Sequence, residues 1–204
     1  MRRATRTVAS WLGVFAGIGG PEHGIFEIMR GNARPEGVMI ASMGPPCRPE
    51  EVWHACEPAM TVIPNYLVTG ILATILGLVT IVWAAFFVGR RRGGLVLILL
   101  SVALLLVGGG LFPPLIGIVA GVVGTRIHAQ PSKRTTGLSR FAACLWPGAL
   151  VAFFVWTLGQ FVVGHFFNEL LMRSGFLSPL VIIGLMTLSI LSAFARDGEP
   201  AEAA

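Results

Sequence analysis

Four stretches of this chain carry no Asp, Glu, Lys or Arg: Pro58–Gly89, Gly93–Thr125, Phe141–Phe167 and Ser174–Ala195. Uncharged apolar runs of about 18 residues or more read as membrane spans, because about 20 helical residues cross the hydrocarbon core. Charged residues are 12% of the 204 and hydrophobic residues 54%. A soluble domain carries about a quarter charged residues, so this chain cannot coat a water-facing surface. A soluble enzyme, a disordered chain and a secreted disulfide scaffold are excluded. The reading is all-α: an integral membrane helical bundle of about six transmembrane helices, whose first partner is the lipid bilayer.

The net charge of +5 does not point to nucleic acid. The basic residues sit at the ends of apolar runs, in clusters at Arg2/Arg3/Arg6, Arg90–Arg92 and Arg126/Lys133/Arg134/Arg140. Juxtamembrane cations of this kind set orientation, because positive loops stay in the cytoplasm. The run Gly93–Thr125 decides the count. At 33 residues it is long for one helix, and Gly108–Gly110 followed by Pro113–Pro114 breaks it. Read as a tight hairpin it gives six spans, with both termini cytoplasmic and eleven of the fifteen basic residues inside. Five spans would leave seven inside. The second helix of the hairpin is short for a full crossing, which keeps a re-entrant form open.

The spans fall at about 8–29, 61–89, 94–109, 114–126, 141–166 and 177–195, with an outer loop over 30–60. Together 1–196 read as one transmembrane domain and 197–204 as a disordered tail. The N-terminal apolar stretch reads as an uncleaved span, since no small-residue cleavage site follows it and Pro21 occupies the position after Gly20.

Three polar pairs gather at the outer end of this map. His23 and Glu27 are four apart, with Glu22 beside them. His54 and Glu57 are three apart, and His165 and Glu169 are four apart. Residues three or four apart share a helix face. These pairs fit interfacial hydrogen bonds, a metal or redox site, or a proton or ion path. A transition-metal ion would be the cofactor, held by His23, Glu27, Glu57 and His165, with Glu22, His54 and Glu169 in reserve. No nucleophile–base pair is legible, so an enzyme is the weakest of the function classes. Cys47 and Cys56 lie in the outer loop, where an oxidising exterior favours a disulfide between them. Cys144 reads as a small core residue.

Small residues form stripes: Gly70, Gly77 and Ala84 on span two, Gly117, Ala120, Gly121 and Gly124 on span four, Gly148 and Ala152 on span five. Such stripes let helix backbones approach closely, within the chain or toward a second copy or another membrane protein. If Pro64 lay inside span two, it would free a carbonyl near Asn65 for a cation.

The segments GGPEHGIFEIMRGN (19–32), ACEPAMTVIPNYLVTGI (55–71) and GGGLFPPLIGIVAG (108–121) resemble a group of small bacterial polytopic membrane proteins. The resemblance implies an inner-membrane helical protein, and it brings no activity or ligand. Two function classes follow from the residues: binding or transport of a small solute, ion or metal through an outward-facing His/Glu cluster, or an accessory subunit docking a partner through its small-residue faces. A metal-dependent membrane enzyme is third.

Overall fold

Pro64 and Asn65 decide where the first long apolar run becomes helix. In the computed structural model, which describes residues 1–43, 57–130, 136–175 and 177–199, that helix starts at Tyr66 and not at 61. Asn65 is extended, and its side chain accepts from the Val68 amide at 3.1 Å, satisfying one of the orphan donors of the first turn. Pro64 therefore lies ahead of the helix and frees no carbonyl within it. Just upstream, Pro58–Met60 pairs antiparallel with Met39–Ala41, so part of the 30–60 segment is a two-stranded ladder.

In chain order the elements are α1 (Arg3–Met29), β1 (Met39–Ala41), β2 (Pro58–Met60), α2 (Tyr66–Val82, continued by a π-helical turn over Trp83–Phe87), α3 (Gly93–Leu106), α4 (Phe112–Thr125), α5 (Gly137–Cys144), α6 (Gly148–Ser174) and α7 (Leu177–Gly198). The protein is thus mostly helical. Among the described residues three stretches are long and apolar enough to cross a membrane: Tyr66–Phe87, Gly148–Ser174 and Leu177–Gly198. Their hydroxyls suit an apolar solvent. Thr74, Thr80, Thr157, Thr187 and Ser189 each donate to the carbonyl four residues back, which satisfies the group without a partner helix.

The expected break in the 33-residue run is present, with shifted borders. Gly108 and Gly110 take positive φ, +90° and +82°, which ends α3 at Leu106. Pro113 and Pro114 fall in the first turn of α4, where missing amides cost nothing. The span read at 141–166 is two elements: the short α5, then α6 after a cis Trp146–Pro147 bond, with non-helical φ/ψ at Phe167. Cys144 is exposed at the end of α5 and is not a core residue.

The described residues form two compact units. One is drawn from residues 9–43 and 57–126, the other from 1–8, 127–130, 136–175 and 177–199. In the first unit, α1 is the central helix. Its glycines meet α2 in antiparallel register. An added Cβ on Gly17 would lie 2.8 Å from the Gly77 carbonyl oxygen, and one on Gly24 would lie 2.6 Å from that of Gly70. Gly13 faces Ala84 of α2 and Leu97 of α3, and Ala16 faces Gly117 of α4. Between α3 and α4, Gly94 sits against Gly121 and Gly124. The stripes expected on spans two and four are therefore consumed inside the chain. The Gly148 stripe is not, since a Cβ there would meet nothing within 4 Å.

In the second unit the two ends of the chain are tied together. The Asp197 carboxylate accepts from the Ala4 amide at 3.0 Å, the Thr5 amide at 2.8 Å and Thr5 Oγ1 at 2.7 Å. It caps α1 from the far end of the sequence. Arg2 adds bonds from its side chain to the carbonyls of Ala129 and Gln130. Asp197 is thus no part of a disordered tail, because it carries the orphan amides of α1. An Asp197→Ala change should cost about 1–2 kcal/mol, the magnitude of a lost N-cap. Thermal unfolding in mild detergent should show a lowered midpoint.

Candidate functional site

The C-terminal half of α1 carries His23 and Glu27 one turn apart, on the side that faces the interior of the first unit. His23 is 1% exposed and Glu27 is fully buried. Two pieces of chain cover them. The first is the ladder region: Ser42 follows β1, Glu57 precedes β2, and the Ser42 amide donates to the Glu57 carbonyl at 2.9 Å. The second is the 107–110 turn, whose Gly108 amide donates to the Met60 carbonyl at 2.8 Å. A bridge between Thr61 and Val107 continues this pairing.

A second set of hydroxyls locks the turn in place. Thr61 and Thr69 are buried, with their oxygens 2.6 Å apart, and Thr69 donates to the Val107 carbonyl at 2.7 Å. The start of α2, the end of β2 and the turn after α3 thus share one network. Paired in this way the buried hydroxyls cost little, whereas any one left alone would cost about 1–3 kcal/mol.

Within this frame Ser42 Oγ donates to Glu27 Oε1 at 2.9 Å. Glu27 Oε2 is buried with no hydrogen-bond partner among the described residues. Glu57 Oε2 stands 3.6 Å from His23 Nε2, and its side chain is 28% exposed. The order is therefore a part-exposed carboxylate, a buried imidazole and a buried carboxylate.

The turn between α3 and α4 closes over both buried groups with backbone alone. A Cβ on Gly108 would lie 2.6 Å from both Glu27 carboxylate oxygens, and one on Gly110 would lie 2.5 Å from His23 Nε2. Only glycine fits these two positions, for two separate reasons: the positive φ and the missing side chain. In the sequence this triplet reads as a helix breaker, and nothing there marks Ser42, Gly108 and Gly110 as site residues. Two glycines spaced two apart in a tight turn were the available signal, but nothing local says which side chains they face.

Of the expected ligands, His23, Glu27 and Glu57 come together. Glu22 is half-buried beside them on α1. His165 and Glu169 belong to α6 in the other unit, and both are exposed. His165 stacks edge-on against Phe166, and Glu169 pairs with Arg173 at 2.6 Å. His54, Cys47 and Cys56 lie outside the described residues. Among the described residues no group of three or more His, Cys, Asp or Glu side chains is arranged to hold a metal ion. Comparison with family models, with curated proteins and with solved structures gives no match.

Proposed function

We propose that the chain is a multi-pass protein of a bacterial inner membrane whose outer-end cluster of His23, Glu27 and Glu57 takes up a proton, as one step of ion movement across the membrane. The observation that carries this reading is the closed order of groups from Glu57 inward. Glu57 is part-exposed, His23 faces it at 3.6 Å, and Glu27 lies buried one turn further along α1. The backbone of Gly108 and Gly110 packs directly against the Glu27 and His23 side chains, leaving no space for a solute between the turn and these two groups. A proton needs none, and imidazole exchanges one near neutral pH. Ionisable groups are costly at the bilayer centre, about 2.5–3.5 kcal/mol each on the lenient scale, and less toward the interface, and a relay gives such a cost a use.

An even number of crossings supports the same orientation. The Asp197–Ala4 bonds favour a topology with both chain ends on one side of the membrane. Six crossings meet that demand, and the basic clusters make the shared side the cytoplasm. At about 21 Å each, the 14-residue α3 and α4 are short of a roughly 30 Å core. Their turn pairs with the end of β2 through the Gly108–Met60 bond and the Thr61–Val107 bridge. Four full crossings with α3 and α4 re-entrant would also be even.

The accessory-subunit reading loses the stripes on spans two and four, which are spent within the chain. The metal reading lacks a three-ligand group among the described residues, and metal analysis of purified protein beside a His23→Ala/His165→Ala double variant tests it. The proton reading is tested in proteoliposomes with a trapped pH dye. Under an imposed potential the wild type should acidify the lumen, and Glu27→Gln should slow this by about 10-fold or more, one lost relay group costing at least about 1.4 kcal/mol of barrier. Equal rates for wild type, Glu27→Gln and empty vesicles would sink it.

A further inference from the structure

The end of the first unit opposite the His23 cluster gathers positive charge. α2 and its π-helical continuation run 22 residues, Tyr66–Phe87, about 30 Å of helix. At the far end two tight turns lead into α3. The Arg90 amide donates to the Phe87 carbonyl at 3.0 Å, and the Gly93 amide donates to the Arg90 carbonyl at 2.8 Å. Trp83 Nε1 closes the loop by donating to the Gly93 carbonyl at 3.0 Å. This fixed loop carries Arg90, Arg91 and Arg92, all exposed. α4 ends beside it. A Cβ on Gly94 would lie 2.5 Å from the carbonyl carbon of Gly124, so the exposed Arg126, which caps α4, joins the same surface.

Helix C-termini favour cations, which accounts for Arg90 and Arg126 taken singly. It does not account for four arginines together without a carboxylate. The ion pairs formed among the described residues include none of the four. The described carboxylates of this unit, Glu22, Glu27, Glu36 and Glu57, all stand at the other end. There Gly24 of α1 meets Gly70 near the start of α2, and the Tyr66 amide donates to the Ala33 carbonyl at 2.9 Å. That separation is well beyond the Debye length of about 10 Å, so those acids do not offset the arginines. Aromatic rings share the level of the arginines. Arg90 lies over the Phe87 ring at 4.7 Å, and Phe86 is exposed. Trp11 is exposed too, and its neighbour Ser10 donates to the Ala84 carbonyl at 2.9 Å. Exposed rings beside cations at the end of an apolar helix are the signature of the headgroup level of a bilayer.

We propose that Arg90, Arg91, Arg92 and Arg126 form a docking surface for the headgroups of anionic phospholipids. This rests on the multi-pass reading and is independent of the proton reading. A guanidinium fork matches the paired oxygens of a phosphodiester. The choline of phosphatidylcholine cancels the phosphate charge, whereas phosphatidylglycerol keeps it, so the surface selects by net headgroup charge. Free phosphate offers similar oxygens. The flanking Phe86 and Trp11 favour the lipid, because they suit a ligand whose ester region continues into hydrocarbon.

The test is a lipid titration of the detergent-purified full chain, with bound lipid counted by native mass spectrometry. The wild type should bind dioleoyl phosphatidylglycerol about 10-fold or more tighter than dioleoyl phosphatidylcholine, since each arginine near the headgroups contributes roughly fivefold. Arg91→Gln/Arg92→Gln should weaken phosphatidylglycerol about 10-fold or more on the same basis and leave phosphatidylcholine unchanged. Arg34→Gln/Arg173→Gln removes the same charge from two other exposed positions and should change neither. Excess inorganic phosphate should not displace the lipid. Circular dichroism and a monodisperse elution profile establish that each variant is folded. Equal binding of the two lipids by the wild type overturns the proposal, as does Arg91→Gln/Arg92→Gln binding phosphatidylglycerol like the wild type. Equal weakening in both double variants means that net charge acts and not this surface. Displacement by inorganic phosphate means that the surface takes a free anion. A chain that stays monodisperse without detergent overturns the multi-pass reading itself, and this proposal with it.

Discussion

Gly110→Ala should be among the most damaging single changes in the first unit, although it adds one methyl group. The methyl would sit 2.5 Å from His23 Nε2, and His23 cannot retreat, because it is buried at 1% exposure. The backbone adds a second cost: at φ +82° a non-glycine residue pays about 1–2 kcal/mol. Overpacking in a closed site adds about 1–3 kcal/mol, for a total of about 2–5 kcal/mol. Gly108→Ala should behave alike, with the Glu27 carboxylate as the obstacle at 2.6 Å and φ at +90°. Gly31 supplies the control. It has φ +66° and nothing within 4 Å of an added Cβ, so Gly31→Ala should cost only the backbone term. Unfolding midpoints of the three variants in one detergent separate the two effects. If all three fall equally, the turn does not rest on His23 and Glu27.

The second large effect is expected between α1 and α2. A Cβ on Gly77 would lie 2.6 Å from the Gly17 carbonyl oxygen, 2.6 Å from Pro21 Cδ and 2.8 Å from the Gly20 Cα. These are backbone and ring atoms, so no rotamer change relieves them. Gly77→Leu must push the helices apart along the whole contact, forfeiting close packing where no hydrophobic effect drives association. A loss of about 3 kcal/mol or more is expected, the upper end of overpacking costs. The shift would also carry His23 and Glu27 away from Ser42 and the glycine turn, so the proton uptake proposed above should fall with stability. Gly184 on α7 has nothing within 4 Å, and Gly184→Ala should stabilise by about 0.4–1 kcal/mol through the unfolded chain. Opposite signs from two glycines in apolar helices would be the signature of close approach. A Gly77→Leu protein as stable as the wild type would mean that α1 and α2 do not meet there.

Particular residues show how far the sequence carried. The pairing of His23 with Glu27 was legible, because four residues on a helix is a fixed geometry. So was the break at 108–114, since glycine and proline act through their own backbones. Borders moved where capping decided them: Asn65 sets the start of α2 by accepting from Val68, which composition does not encode. Ser42 was invisible as a site residue. It lies 15 residues from Glu27, and only the pairing of β1 with β2 brings it near.

His165 and Glu169 illustrate the opposite failure. Their spacing equals that of His23 and Glu27, yet both are exposed on α6. Spacing fixes that two side chains share a face and says nothing about what that face meets. Asp197 failed in a third way. A charged residue at the end of a chain reads as solvated tail, and its bond to Ala4 spans 193 positions.

The sequence alone therefore determined what depends on local chemistry: the apolar runs, the helix breakers, the small-residue stripes and the helical spacing of His23 and Glu27. Each follows from hydropathy, backbone preference or helical period, which act over a few residues. Tertiary structure alone decided which pair became a buried cluster, which stripes were spent within the chain, and that the glycine turn serves as the cover of His23 and Glu27. Those outcomes depend on contacts between residues far apart in the chain, where no local preference selects the partner.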